Sequence, residues 1–237
     1  MEDTRLKKII VAATLGVALL LWWMHHPRVF QTSGSGLQYR YLIKTVGSGC
    51  DNPPLIFALH GNGDTPSNFY KTLLQDLRVP ARIVLMEAPL PHATGHAWPM
   101  GGDPLRLHGE GIAEMVQILS KKYGSVRKPI LLGFSGGGCM AYYQAAIHPE
   151  LYSMIIPISG YLDGTVKPKP GGGDVAMIKA LHATDDSLIN FSSGRGAVEV
   201  LREAGREAEM IPLSGGHLAV FNGGHAALLE VLKNALK

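Results

Sequence analysis

Short apolar segments alternate with longer amphipathic segments along most of this chain. The segments at 55–59 and 130–132 are wholly apolar and too short for helices, so they indicate buried strands, whereas apolar and polar residues alternate at 37–46 as in a half-exposed edge strand. The other predicted strands cover 81–86, 154–158, 177–183 and 207–213. The predicted helices cover 66–77, 105–123, 135–148, 194–204 and 226–236. This alternation predicts an α/β fold, with a mostly parallel central sheet flanked by helices.

The first 30 residues have a different pattern. Three basic residues precede an apolar run at 9–24 that contains no charged residue and ends in tryptophans. The run is shorter than the ~20 residues of a comfortable membrane span, but no small-residue cleavage site follows it, and paired tryptophans are typical of a membrane–water interface. We therefore predict an N-terminal apolar helix within 1–30 that acts as an uncleaved signal anchor, with a cleaved signal peptide as the alternative.

Charge and composition set the remaining limits. A basic segment before an anchor stays cytoplasmic, so we expect the rest of the chain to be extracytoplasmic (periplasmic or extracellular), or secreted after cleavage. Residues 31–37 are predicted to be a linker, and residues 38–237 one folded domain, because 237 residues with 46% hydrophobic content can bury one sizeable core. The net charge of +3 argues against a nucleic-acid partner. The two cysteines, Cys50 and Cys139, are expected to be unpaired, and the oligomeric state is left open.

One motif carries most of the chemical information. The GFSGG segment at 133–137 is a G-x-S-x-G pattern between a predicted strand and a predicted helix. Gly133 and Gly137 allow the strand and helix backbones to pass close together, since glycine has no Cβ. A sharp turn at this point would lift the hydroxyl of Ser135 above the carboxyl edge of the sheet. We interpret Ser135 as a nucleophile.

A serine hydroxyl needs a general base, and the base needs an acid that orients it. In a site of this kind the partners follow in the order serine, acid, histidine, each after a later strand. Asp185 and Asp186 follow the strand at 177–183, and His217 and His225 follow the last strand. We select Asp186, because it lies further beyond its strand, and His217, because it lies closer to the last strand. Asp185 is then a turn or capping residue and His225 a first-turn residue of the final helix.

The negative charge that develops on the attacked carbonyl oxygen needs backbone N–H donors. One predicted donor is Gly136, the residue after the nucleophile. The other is Asn62, in the HGNGD loop that follows the strand at 55–59. His60 in the same loop could act as a base, but its position at an early strand end favours a structural role.

The long loop at 88–104 is expected to cross the same edge of the sheet. Trp98 and Met100 are candidates for a wall that binds the acyl or alcohol part of a substrate, with ordinary core packing as the equal alternative. The histidines of this loop, with Asp103 and His108, could be taken for a metal site. We predict no metal, because the residues lie on a loop rich in proline and glycine rather than at helical spacing.

Four motifs together resemble one family. The segments HGNGDTPSNF, GFSGGG, HATDD and the GGH after the last strand are similar to the phospholipase/carboxylesterase family of α/β-hydrolases, which includes the acyl-protein thioesterases. The similarity covers essentially the whole predicted domain. It implies an α/β-hydrolase fold and a serine esterase or thioesterase that needs no cofactor, with Ser135, Asp186 and His217 as a catalytic triad and the amides of Asn62 and Gly136 as the oxyanion hole.

The chain departs from that family within the motifs. The family usually has Gln after the serine, where this chain has Gly136, and Pro after the acid, where this chain has Ser187. Its members are also mostly soluble and cytosolic. The expected partners are a small-molecule or acyl-chain ester and, through the N-terminal segment, a membrane. A polyester or aromatic-ester hydrolase or a serine peptidase of the same fold is the nearest alternative, and a non-catalytic binding protein is the alternative from another class.

Overall fold

The computed structural model describes residues 14, 16–17, 28–31 (backbone only), 36–124, 127–170 and 172–236. Its strands are β1 (Arg28–Gln31), β2 (Gln38–Val46), β3 (Leu55–Leu59), β4 (Ala81–Met86), β5 (Leu90–His92), β6 (Gly95–Ala97), β7 (Ile130–Phe134), β8 (Met154–Ile158), β9 (Met177–Ala183) and β10 (Ala208–Leu213). Its α-helices are α1 (Pro66–Phe69), α2 (Gly102–Lys122), α3 (Gly136–Ile147), α4 (Phe191–Glu203) and α5 (His225–Ala235). A π-helical turn covers Tyr70–Leu74, and 3-10 turns cover Pro149–Leu151 and Ala219–Phe221.

Eight of the strands form one sheet, in the spatial order β1-β2-β4-β3-β7-β8-β9-β10. Strand β2 is antiparallel to both of its neighbours, and every other pair in the sheet is parallel. Most connections between the parallel strands contain a helix, as is usual for parallel pairs, but the connection from β8 to β9 contains none among its described residues. The prediction of an α/β-hydrolase-like fold, with a mostly parallel sheet and flanking helices, is confirmed.

Both faces of the sheet are covered, which explains why the central strands are wholly apolar. Along β3, Leu55, Phe57 and Leu59 pack into the core formed with α2, α3 and α4. The alternate residues Ile56 and Ala58 pack into a second core on the opposite face, formed with α1, the π-helical turn and α5. Successive side chains of a strand point to opposite faces of the sheet, so a strand that lies between two cores has no position for a polar side chain.

The register of the sheet brings the ends of the parallel strands to one edge. Leu59 at the end of β3 lies opposite Gly133, and Phe134 at the end of β7 lies opposite Ile158. At the far side of the sheet, Leu213 at the end of β10 lies opposite the last residue of β9. The loops after β3, β7, β9 and β10 therefore open along the same edge, where sites of open α/β sheets are found.

Local features differ from the sequence-based predictions, among them the start of one helix, the course of one loop and the start of the sheet. Helix α2 begins at Gly102 rather than at 105, because proline is tolerated in a first helical turn and Pro104 does not delay the start. The loop at 88–104 contains the β5–β6 hairpin. Residues 28–31 pair with β2 as an edge strand, so the sheet begins earlier than the predicted domain boundary at residue 38.

The predicted N-terminal apolar helix lies outside the described residues, apart from Thr14, Gly16 and Val17, which are helical and exposed. Within the part of the chain that the structure describes, no helix combines the length and the apolar character needed to cross a membrane. The anchor and the localisation that depends on it stay predictions.

Candidate active site

Ser135 stands at the tip of a sharp turn between β7 and α3. Its backbone has φ 52° and ψ −113°, a region that residues with a Cβ rarely adopt and that costs on the order of 1–3 kcal/mol. Two glycines permit the turn, because a Cβ on Gly133 would come closer than 3.0 Å to the carbonyl group of Gly137, and a Cβ on Gly137 closer than 3.0 Å to that of Leu59. The Ser135 N–H donates to the Ile158 carbonyl across 2.9 Å, so the core holds the strained residue in place.

His217 connects this serine to an acid. Its Nε2 lies 3.0 Å from Ser135 Oγ, and its Nδ1 lies 2.7 Å from Asp186 Oδ2. The imidazole also contacts the ring of Phe134, with 5.1 Å between ring centroids. The three residues that the sequence predicted as nucleophile, base and acid are thus joined by hydrogen bonds, and they come from the loops after β7, β10 and β9.

The Asp186 carboxylate is surrounded by N–H groups. Its side chain has no exposed surface, and its Oδ1 accepts from the N–H groups of Leu188 and Ile189 at 2.9 and 3.0 Å. Burial alone would raise the pKa of Asp186, but hydrogen bonds from the Ile189 N–H, the His217 imidazole and the Leu188 N–H together hold this pKa below its usual value. Asp186 is therefore an ionised acceptor near neutral pH.

His182 is a neighbour of this carboxylate that the sequence-based reasoning missed. It is buried at the end of β9, and its Nε2 lies 2.8 Å from the Ile189 carbonyl and 3.2 Å from Asp186 Oδ2. Its Nδ1 has no hydrogen-bond partner among the described residues and faces Gly194 in α4. Both neighbours of Nε2 are oxygens, so this nitrogen is placed to donate a hydrogen bond to them. The sequence signal that could have indicated this contact is the spacing, since His182 lies four residues before Asp186.

The two residues that competed for the acid and base roles have other partners. The Asp185 carboxylate accepts from the N–H groups of Gly215 and Gly216, at distances of 3.0 to 3.2 Å, and these hydrogen bonds hold its pKa below the usual value. Consecutive N–H groups that converge in this way form a small anion-binding nest. His225 is the first residue of α5, and its Nε2 lies 2.9 Å from the Leu73 carbonyl. Both placements agree with the local roles considered from the sequence.

The HGNGD loop lies beside the turn that carries the serine. His60 is buried, its Nε2 accepts the Ala88 N–H at 3.1 Å, and its Nδ1 lies 2.7 Å from the Gly61 carbonyl. Burial lowers the pKa of His60, so it is a neutral structural residue, as its position predicted. Asn62 adjoins Gly136, because a Cβ on Gly136 would have only atoms of the Asn62 side chain as its nearest neighbours. The two predicted oxyanion donors therefore belong to adjacent residues.

The two candidate wall residues are placed differently from each other. The ring of Trp98 is only 1% exposed and packs near His60, so it is a core residue and presents no wall to a substrate. The sequence could not show this, because the β5–β6 hairpin that precedes Trp98 turns the ring inward. Met100 is partly exposed, and its Sδ lies 3.4 Å from Asn62 Nδ2. Met100 therefore stays a candidate for substrate contact.

A groove of about 560 Å³ lies between the HGNGD loop, α1 and the π-helical turn, and Phe134, the residue before the serine, is part of its lining. Its apolar lining is formed by Phe134, Leu218 and Phe221, and its polar lining includes Asn68 and Lys71. Among the described residues, no group of three or more His, Cys, Asp or Glu side chains could hold a metal ion. Cys139 is buried, which raises its thiol pKa to about 12, and Cys50 is exposed; neither is in a disulfide.

Comparison with known proteins points to one class. The model of the phospholipase/carboxylesterase family matches residues 111–227, a stretch that contains Ser135, Asp186 and His217 but not the HGNGD loop. The resemblance found in the motifs is therefore confirmed. The expectation that the protein is an enzyme, a serine hydrolase of the carboxylic ester type, is confirmed with it. Carboxylesterase or thioesterase function is supported at the level of the family.

Solved structures share the fold. Esterase PE8 has a TM-score of 0.70 and 21% identity, over 82% of this chain and 97% of that one. The Bacillus cereus carboxylesterase has a TM-score of 0.67 and 13% identity, over 82% and 94% of the two chains. Zea mays acyl-protein thioesterase 2 has a TM-score of 0.65 and 19% identity, over 82% and 99%. A search of curated protein sequences returned no significant match.

Proposed function

We propose that this protein hydrolyses carboxylic esters or thioesters with Ser135 as the nucleophile, His217 as the general base and Asp186 as the acid that orients the base. The observation that supports this most strongly is the unbroken pair of hydrogen bonds from Ser135 Oγ to His217 Nε2 and from His217 Nδ1 to Asp186 Oδ2. The strained backbone of Ser135 is a second support, because strain of this kind persists where a side chain must be aimed at a substrate.

The reaction would proceed in two steps. Ser135 Oγ attacks the carbonyl carbon while His217 Nε2 takes its proton, and the imidazolium then gives that proton to the departing alcohol or thiol. Water, deprotonated by the same nitrogen, attacks the acyl-enzyme and releases the acid. Asp186 stays ionised throughout, keeps the Nδ1 proton in place and offsets the positive charge of the imidazolium.

The backbone N–H groups of Gly136 and Asn62 are the proposed donors to the oxyanion. Gly136 is the first residue of α3, so its N–H has no acceptor within the helix, and the positive end of the helix dipole lies at this position. Asn62 adjoins Gly136 from the loop after β3. Donors that are already in place before the reaction cost no reorganisation, which makes their contribution large.

The groove beside α1 is the proposed site for part of the ester. Its apolar residues Phe134, Leu218 and Phe221 suit a short acyl or aryl group, and Phe134 directly precedes the nucleophile. Its polar residues, which include Asn68 and Lys71, suit a hydrogen-bonding or anionic group of the substrate. A polyester or aromatic-ester substrate is compatible with the same arrangement.

Covalent labelling tests the proposal. A fluorophosphonate probe is expected to label the full chain once, and Ser135→Ala to abolish both labelling and hydrolysis of nitrophenyl esters. Ser192→Ala changes an exposed serine of α4 that has no assigned role and serves as the control for a serine-to-alanine substitution. A Ser135→Ala protein that still hydrolyses esters would overturn the assignment, and a folded wild-type protein that is never labelled would favour a non-catalytic binding protein.

The choice of base is tested by a pair of histidine variants. His217→Ala is expected to lose esterase activity, because no other described imidazole lies within hydrogen-bond distance of Ser135. His225→Ala is expected to keep it, because His225 contacts the Leu73 carbonyl. The opposite result would move the base to His225.

We also propose that residues 9–24 hold the protein at a membrane, with the hydrolase domain outside the cytoplasm. The support is the sequence pattern alone, in which three basic residues precede an apolar run without charges. Alkaline extraction of membranes from expressing cells is expected to leave the full chain in the pellet. Quantitative release into the supernatant would contradict an integral anchor.

A further inference from the structure

The three glycines around Ser135 are constrained by different neighbours. A Cβ on Gly133 or Gly137 would collide with backbone atoms, those of Gly137 and Leu59 respectively, so no side-chain movement could relieve the clash. The three atoms nearest to a Cβ on Gly136 would all belong to the Asn62 side chain, namely Oδ1, Cγ and Nδ2, each at 3.0 Å or less. The backbone of Gly136 is not in the left-handed region, so its conformation would accept a side chain. One neighbouring side chain therefore restricts this position to glycine.

The Asn62 carboxamide is held by the segment that follows β6. Its Oδ1 accepts the Trp98 N–H at 2.8 Å, and its Nδ2 lies 3.3 Å from the Trp98 carbonyl. A carboxamide that donates to and accepts from one residue reproduces the exchange made by a neighbouring strand residue.

This side-chain pair continues a short backbone ladder between the same two segments. The Gly63 N–H donates to the His96 carbonyl at 2.9 Å, and the His96 N–H donates to the Asp64 carbonyl at 3.1 Å. The hydroxyl of Thr94 adds a third hydrogen bond, to the Gly63 carbonyl at 2.7 Å. The HGNGD loop is thus fixed to the β5–β6 hairpin, and the Asn62 side chain that makes one of these contacts lies beside Gly136, the residue after the serine.

We propose that Asn62 is a positioning residue whose carboxamide holds its own N–H in place and, by filling the space beside the nucleophile, makes glycine necessary at position 136. The inference rests on the proposed function, in which that N–H and the N–H of Gly136 stabilise the oxyanion. A side chain at 136 pushes the carboxamide off Trp98 and disturbs both donors together. Removal of the carboxamide loosens one donor but creates room at 136. The effects of substitutions at the two positions are therefore coupled, and Asn62→Ala is expected to relieve the damage that Gly136→Ala causes.

A double-mutant cycle on the full chain measures this coupling. We expect Gly136→Ala to lower kcat on nitrophenyl acetate by ~100-fold, the scale of losing one oxyanion donor, and Asn62→Ala to lower it by ~10-fold. The double variant is expected to match Asn62→Ala and so to be more active than Gly136→Ala alone. KM is expected to stay nearly constant, because the donors act on the transition state. Gly196→Ala, in α4 where a methyl group meets no neighbour, is the control for replacing a helical glycine.

Folding is followed in the same proteins, so that a poorly folded variant still informs the test. If Gly136→Ala lowers the melting temperature, the double variant is expected to recover it, because the clash is gone. The proposal would be overturned if Gly136→Ala lowered kcat by the same factor in the wild-type and the Asn62→Ala proteins. It would also be overturned by a Gly136→Ala protein with full kcat. Such results would appear in a protein that is still labelled at Ser135, which separates them from failure of the proposed function itself.

Discussion

The nucleophile and its two partners are held by different kinds of interaction. The turn around Ser135 is fixed by close backbone contacts inside the core, where Gly133, Gly137 and the end of β3 leave no room for a Cβ. The loops that carry the acid and the base are fixed by carboxylates, since Asp186 accepts from two N–H groups and an imidazole, and Asp185 from two more N–H groups. Packing of this kind depends on shape, whereas carboxylate hydrogen bonds depend on charge and hence on pH. One site can therefore be damaged in two distinct ways.

The largest expected effect comes from removing the charge of the acid. Asp186→Asn keeps the shape of the loop, but the amide favours the imidazole tautomer with the proton on Nε2, which cannot accept the serine proton. We expect kcat to fall by ~10⁴-fold, the scale of a mis-set tautomer in a site of this type, with little change in KM. Steady-state hydrolysis of nitrophenyl esters measures this.

The neighbouring carboxylate is the matched control. Asp185→Asn keeps an oxygen that can accept from Gly215 and Gly216, so only a few-fold loss of kcat is expected. If Asp185→Asn were the more damaging of the two, the acid would have been assigned to the wrong residue.

The next largest effect is on the packed turn. Gly137→Ala places a methyl group against the Leu59 carbonyl, and we expect a loss of ~3 kcal/mol in unfolding free energy, the upper end of the usual cost of overpacking. Urea unfolding followed by circular dichroism measures it. The loss is expected to be the same at pH 5 and pH 8, because the contact involves no charge.

Gly196→Ala again provides the comparison, since a methyl group there is expected to be neutral or stabilising. A Gly137→Ala protein as stable as wild type would mean that backbone contact does not fix the turn.

The packed turn was also the part of the site that sequence reasoning predicted most fully. Its determinants are contiguous, because the glycines, the serine and the strand before them lie within a few residues of one another. The order of the strands then limited the acid to Asp185 or Asp186 and the base to His217 or His225, and the distance of each residue from its strand end decided for Asp186 and His217. The wholly apolar strands predicted the two-sided core for the same reason, as every position faces a hydrophobic layer.

Contacts between distant segments were not predictable in this way. The role of the Asn62 carboxamide depends on Trp98, which the β5–β6 hairpin brings back to the loop after β3. The burial of the Trp98 ring depends on the same hairpin, and a pattern of single residues does not reveal which way a ring turns. The contact of His182 with Asp186 depends on α4, where only a glycine at position 194 leaves room for the imidazole. In each case the missing information was a packing partner far away in the chain.

The smallest effect is the pH dependence of stability that the carboxylates confer. The pKa of Asp186 is lowered in the folded protein, so its ionised form stabilises the fold above the unfolded-state pKa of ~3.9. This contribution is lost as the pH falls through the folded-state pKa, where the carboxyl becomes protonated.

Asn at position 186 does not titrate. The difference in unfolding free energy between wild type and Asp186→Asn is therefore expected to be largest near neutral pH and to shrink below pH 4. Urea titrations from pH 6 to pH 3 measure it, and a difference that stays constant over this range would show that the loop, like the turn, is held by shape rather than by charge.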